Sequence, residues 1–448
     1  MNKLLIKNAT LVNEGRVQVQ DVLIAGERIE QIGFGLSAPA GVRVLDAAGK
    51  HLLPGMIDDQ VHFREPGMPD KGNIASESRA AVAGGTTSFM DMPNVNPQTT
   101  TLEALEAKFK LAEGRAAGNY SFYLGGTNDN LEQIQRLQPN QTCGVKVFMG
   151  ASTGNMLVDS EAALAGIFRD SPVLIATHCE DSPTIKRNEE LARAKYGDAV
   201  PFSEHGHIRS AEACYLSSSL AVSLAKRYQS KLHVLHLTTA REMSHFTASH
   251  SLAELKDKNI TAEVCVHHLF YNEADYERLG AQIKCNPAIK TAADQQALID
   301  AVNQDIIDII ATDHAPHTWV DKQNSYFGAP SGLPLCQHAL PMLMEFYHKG
   351  IFSLETIVRK TSHAVAERYQ IKDRGYIREG YFADLVLFDL NDRTAVSKDN
   401  LLYHCGWSPL EGTTLKSRVD TTLVNGQIAY QNGQVSEQAF GQRMQFTR

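Results

Sequence analysis

Apolar residues recur along this chain with two periods, and the switch between them divides it. At the N-terminal end they come in short runs, at 4–6, 17–19, 22–24 and 29–32, broken by Asn13-Glu14-Gly15 and Gly26-Glu27. Short runs bounded by such turn residues predict a β-meander. The C-terminal end has the same style, with strands at 385–388, 417–424 and 428–430. Asn425-Gly426 joins two of them and Asn432-Gly433 follows, a hairpin signal because both turn positions need positive φ. Two β segments enclosing a long middle predict one small β-sandwich assembled from residues 1–50 and 371–448.

In residues 51–370 the period changes. Eight short apolar runs, at 56–61, 87–92, 121–124, 145–149, 173–177, 232–235, 262–266 and 306–311, alternate with stretches whose apolar residues recur every three or four positions. Helices are expected at 101–117, 160–168, 210–228 and 292–303. This α/β alternation predicts a (β/α)8 TIM-type barrel. A doubly wound open sheet is the alternative, weakened because no Gly-x-Gly-x-x-Gly follows the first strand.

The polar residues point to chemistry. His62 with Arg64, Asn94, Lys146, His178, His236, the pair His267-His268, and Asp313 fall at or near seven of the eight strand ends. Barrel enzymes build their sites at that face. In the first strand, alternation predicts Asp58, Gln60, His62 and Arg64 on one face, with Asp59 turned outward. His233, three before His236, is expected to pack outward too. His62, His178, His236 and Asp313 are donors that suit a zinc-type metal, although any one alone is more often an ordinary strand-end residue. Lys146 is costly as a buried ammonium; carboxylation by CO2 would turn it into a metal-bridging carbamate, and a snorkelling lysine is the plain alternative. Asp313 suits a ligand that also serves as general base. Arg64 and Asn94 offer donors for a carboxylate. His205 and His207 lie in a polar loop and read as structural.

Composition narrows the class. The chain has 448 residues, 43% apolar and 21% charged, with a mean hydropathy of -0.25, enough for a large core. A net charge of -8 argues against nucleic acid or an anionic membrane as partner. Apolar runs are too short to span a bilayer, and the first eight residues lack a signal-peptide core. Seven cysteines without a Cys-x-x-Cys pair fit reduced thiols in a cytoplasm.

These motifs together resemble the amidohydrolase superfamily, and within it the class I dihydroorotases, over essentially the whole length. The matching stretches are 54–67, Asp91-Met92-Pro93-Asn94, 146–149, His178-Cys179-Glu180-Asp181, His236-Leu237-Thr238-Thr239, Asn286-Pro287, Asp313-His314-Ala315-Pro316-His317 and 380–389. The resemblance implies a barrel with a composite β-sandwich, one or two zinc ions at the barrel mouth, and reversible hydrolysis of the ring amide of dihydroorotate to N-carbamoyl-aspartate. It implies His62, carboxylated Lys146, His178, His236 and Asp313 as metal ligands, with Asp313 catalytic. It implies Arg64, Asn94, Asn286 and His317 as substrate-binding residues, and a homodimer as the assembly. Lys290 stands where an arginine is expected. Gln60 is the main departure, because the family reads His-x-His there; a carboxamide is a weaker sixth donor. Two alternatives stay open: a related cyclic amidohydrolase such as allantoinase or dihydropyrimidinase, and an inactive subunit partnered with aspartate transcarbamoylase.

Overall fold

The structure, a computed structural model, describes residues 3–150 and 156–448; Met1 and Asn2 of the N-terminal stretch considered above lie outside them. Eight parallel strands make the central element: β1 (Met56–Val61), β2 (Thr86–Asp91), β3 (Asn119–Phe122), β4 (Val145–Phe148), β5 (Ile175–His178), β6 (Leu232–Val234), β7 (Ile260–Cys265) and β8 (Ile309–Ala311). Each pairs in parallel with the next from β1 to β3 and from β4 to β8. The short strand Leu124–Gly125 continues β3 onto β4. The ring closes where Val61 bridges His314 and the His62 N–H donates to His314 O at 2.7 Å. Closure is what separates a barrel from the open-sheet alternative.

The helices begin where their caps say they should. Thr101, Ser160, Ser210 and Thr291 each accept a backbone N–H from the first turn of Leu102–Ala112, Glu161–Asp170, Ala211–Tyr228 and Ala292–Asn303. The strands' outward side chains, such as Val147, Val234, Val264 and Ile310, join one large apolar layer with these helices.

Both chain ends form one nine-stranded sheet. Lys3–Asn13, Arg16–Ala25 and Arg28–Gly33 make the meander, in which two of the expected runs merge into one strand. His51–Pro54 pairs with Lys3–Asn13 on one side and antiparallel with Leu385–Asp389 on the other, so residues far apart in sequence meet within the sheet. At the 425–426 hairpin Asn425 has φ 50 and Gly426 φ 72, as the Asn-Gly signal requires. No helix among the described residues is long and apolar enough to cross a membrane.

A buried ion pair fixes the mouth of the barrel. Lys108 Nζ lies 2.7 Å from Asp91 Oδ2, with both side chains essentially unexposed, while Asp91 Oδ1 accepts the Phe63 N–H at 2.9 Å. The pair thereby holds the chain just after β1, where His62 and Arg64 sit. Lys108→Met leaves a buried carboxylate without its partner, which costs about 3–5 kcal/mol; a fall in Tm is expected, and an unchanged Tm would refute this role.

Candidate active site

Two expectations about the first strand change once the barrel closes. The pairing of β1 with β2 shifts register between Asp58 and Val61, so strict alternation fails there. Asp58 turns toward the end of β8, accepting from Thr312 N at 3.1 Å and from Thr312 Oγ1 at 2.6 Å. Asp59, expected outside, meets His233 Nε2 at 3.2 Å. Strands β1 and β6 are not neighbours, so their side chains meet only in the barrel interior. Asp59 and His233 therefore both point inward, against the sequence expectation.

Above them a pocket of about 490 Å³ opens at the C-terminal strand ends. Gln60, His62, Arg64, Asn94, Lys146, His178, His236, Asn286 and Asp313 all line it, with Phe148, Ala315, Ser331 and Gly332. His317 stands behind the wall, its Nε2 3.1 Å from Arg64 Nη2. Gly332 has φ 137, and a Cβ there would come within 2.5 Å of Ala315 O, so only glycine lets this wall approach. Three residues of the pocket, Arg64 (φ 68), His236 (φ 38) and Asp313 (φ 47), hold left-handed backbone. Such conformations are costly for side-chain-bearing residues and recur where a side chain must be aimed.

Hydrogen bonds fix the imidazoles. Asn94 Oδ1 lies 2.8 Å from His62 Nδ1, so it takes that N–H and leaves Nε2 facing Asp313 Oδ1 at 3.0 Å. His178 Nδ1 and His236 Nε2 stand 3.0 Å apart, while Glu180 Oε2 lies 2.9 Å from His178 Nε2. Arg209 makes a very short contact to Glu180. Burial raises the Glu180 carboxyl, but Arg209 and His178 outweigh it and hold it at about 2. Burial also pulls His62, His178 and His236 down, keeping them neutral, the form that donates a lone pair to a metal. Lys146 is lowered to about 8, mainly by burial.

This donor set fits a divalent metal. Neutral imidazole nitrogens and a carboxylate face one another at 3.0 Å with His236 Nδ1 a buried orphan, an arrangement that leaves lone pairs opposed unless a cation or proton lies between them. Gln60 lies beside this set: its Nε2 donates to Asp313 Oδ1 at 3.2 Å, and its Oε1 faces Cys265 Sγ. Turning the amide over would set oxygen against oxygen at Asp313, so in this arrangement Gln60 supports Asp313.

Arg64 is buried and donates to Pro316 O at 3.0 Å. Among the described residues no carboxylate lies within ion-pair distance of it. Asn286 Oδ1 is likewise buried without a hydrogen-bond partner among the described residues. Lys290 Nζ donates to Ala288 O at 2.8 Å. His205 bonds Tyr326 and Cys285 O, a structural role as expected. Sequence reading passed over Arg209, Glu77 and Glu263. Glu77 pins His314 at 2.9 Å, and Glu263 accepts the His236 N–H at 2.9 Å. A carboxylate inside the apolar run 262–266 was the one local signal for Glu263.

Comparison with known proteins agrees with this geometry. The chain matches the Amidohydrolase family over residues 51–429. It is 33% identical to a dihydroorotase of Methanosarcina acetivorans, over 91% of this chain and 88% of that protein. It is 28% identical to an allantoinase of Desulfitobacterium hafniense over 98% of both. The L-hydantoinase (dihydropyrimidinase) of Arthrobacter aurescens superposes with a TM-score of 0.92 at 25% identity, covering 99% of this chain and 100% of that one. With a closed barrel, a sheet made from both chain ends and imidazole, lysine and carboxylate groups gathered at its mouth, this chain belongs to the amidohydrolase family and is a hydrolase of the cyclic-amidohydrolase type.

Proposed function

We propose that the protein is a dihydroorotase, opening the ring amide of dihydroorotate to N-carbamoyl-aspartate in pyrimidine biosynthesis, and closing it in reverse. The observation that carries this reading is Arg64, a buried guanidinium at the pocket wall with no carboxylate partner among the described residues. Such a group favours a substrate that brings its own carboxylate. Dihydroorotate has one on the ring; the rings of allantoin and dihydropyrimidines do not.

In this reading Arg64, steadied by His317 and Pro316 O, grips the ring carboxylate, with Asn94 beside it. Asn286 Oδ1 accepts a ring N–H. His178 and His236, with Lys146 as its carbamate, would hold one zinc ion, and His62 and Asp313 complete the donor set. A metal there supplies Lewis-acid polarisation of the ring carbonyl and acidifies water. Asp313 removes a proton from the attacking water; the new C–O bond forms, the ring C–N bond breaks, and Asp313 returns the proton to the leaving nitrogen. Seven unpaired cysteines, six of them buried, support a reducing cytoplasm as the working compartment. Zinc-loaded protein should open dihydroorotate in a steady-state assay, and absence of turnover would refute the proposal.

Two further outcomes follow. Only the neutral amine of Lys146 reacts with CO2, and its lowered pKa of about 8 sets the window. Below pH 8 the neutral fraction falls roughly tenfold per pH unit. Metal-free protein reloaded with zinc at fixed dissolved CO2 should regain activity far more slowly at pH 6 than at pH 8; equal rates would argue against the carbamate. Gln60→His restores a second imidazole beside His62 and should raise bound metal by up to one ion per chain over the parent, measured by elemental analysis. Unchanged content would mean that Gln60 already ligates or that the site near His62 is closed to an ion. A non-catalytic subunit supporting aspartate transcarbamoylase remains the rival reading, motivated by Gln60, and absence of any metal at the pocket would favour it.

A further inference from the structure

Beneath the pocket floor lies a cluster that the chemistry above does not use. Asp59 of β1, His233 of β6 and Glu263 of β7 each have 0% exposure, and one donor atom from each lies within 4.8 Å of the others. His233 Nε2 is 3.2 Å from Asp59 Oδ2 and 3.4 Å from Glu263 Oε2. Neither contact has hydrogen-bond geometry: His233 Nε2, Asp59 Oδ1 and Glu263 Oε2 are all buried polar atoms without a hydrogen-bond partner among the described residues.

The tautomer of His233 sharpens the problem. Thr261 Oγ1 lies 2.8 Å from His233 Nδ1 and 3.3 Å from Leu232 O, and its single hydrogen can serve only one of them. With that hydrogen on Leu232 O, Nδ1 carries the ring hydrogen and a neutral ring turns the Nε2 lone pair toward two carboxylates, the arrangement a cation would complete. Among the described residues no lysine or arginine pairs with either acid. Burial lowers the His233 pKa but Asp59 and Glu263 outweigh it and raise it, so these two carboxylates call for a positive charge between them, a proton on the ring or a cation in its place.

We propose that Asp59, His233 and Glu263 bind a divalent, zinc-type cation inside the barrel, separate from the metal of the pocket. A +2 ion cancels the two carboxylates and accepts the Nε2 lone pair. The spacing fits: around zinc with ligands at about 2.0–2.1 Å, tetrahedral neighbours stand about 3.3–3.4 Å apart. Outer hydrogen bonds already aim the ligands, as metal sites require. Tyr369 OH donates to Asp59 Oδ2 at 2.9 Å, and Glu263 Oε1 takes the His236 N–H at 2.9 Å. Through that last bond the ion braces the backbone of His236, a residue of the pocket. The proposal does not depend on which ring the enzyme opens.

Crystals of the full-length protein grown with zinc, measured on both sides of the zinc absorption edge, test it. The expected result is an anomalous peak about 2 Å from His233 Nε2 and from an oxygen each of Asp59 and Glu263. A peak at the pocket with none here would overturn the proposal and leave a shared proton as the balancing charge. Elemental analysis gives an independent reading: Asp59→Asn should hold one ion fewer per chain than the parent. An unchanged count in a folded Asp59→Asn protein would also overturn it, and if that variant does not fold, the anomalous map of the parent decides.

Discussion

Lys146→Ala should abolish turnover and strip metal from the pocket while leaving the barrel folded. The lysine sits on β4 with 1% exposure, and its ammonium is destabilised there, mainly by burial, to about 8. It lines the same pocket as His178, His236 and Asp313. In the proposed reading its carbamate is the one anionic ligand that joins the donors of β5 and β6 to those of β1 and β8. Removing it takes the anionic ligand from beside His178 and His236, and the donors that remain would bind zinc far more weakly. We expect kcat to fall at least about a thousandfold, or ~4 kcal/mol of barrier. Lys146→Arg should fail equally, because a guanidinium keeps the charge but cannot form the carbamate. An added short carboxylic acid should partly restore the alanine variant by filling the vacated space. Retained zinc and retained activity in Lys146→Ala would remove the carbamate from the account.

Arg64→Gln has the second large effect, and it falls on selectivity. The guanidinium is held by Pro316 O and His317 and has no carboxylate partner among the described residues. Losing a charge-assisted pairing in a desolvated site costs about 3–4 kcal/mol. For dihydroorotate, kcat/KM should drop by roughly two to three orders of magnitude, with most of the loss in KM. Any residual activity on a ring without a carboxylate should change little, since that ring never used the group. An equal loss on both rings would mean that Arg64 shapes the pocket and does not grip an anion.

The barrel was legible because its strands are buried on both faces and its helices carry Ser, Thr, Asn or Asp caps, both of which leave local patterns. All eight strands lie where the apolar runs predict, and Ala292–Asn303 matches its expected span. The polar groups at the strand ends were legible for the same reason: His178 and His236 follow their apolar runs directly and Asp313 follows its run after Thr312. What escaped was non-local. Asp59 and His233 were misassigned because a register shift in β1 breaks the alternation, and because a contact between β1 and β6 exists only once the ring has closed. The role of Gln60 depends on which way its amide faces, which Asp313 decides from 253 residues away. Left-handed backbone at Arg64, His236 and Asp313 goes against the preference of those residues, and no sequence pattern announces it.

The central claim is that this pocket selects a cyclic amide carrying its own carboxylate. Side-by-side measurement of kcat/KM for dihydroorotate, allantoin and dihydrouracil on one zinc-loaded preparation tests it most directly. The account predicts dihydroorotate favoured by about a hundredfold or more, the worth of one buried ionic contact. Comparable or higher kcat/KM for either uncharged ring would contradict it.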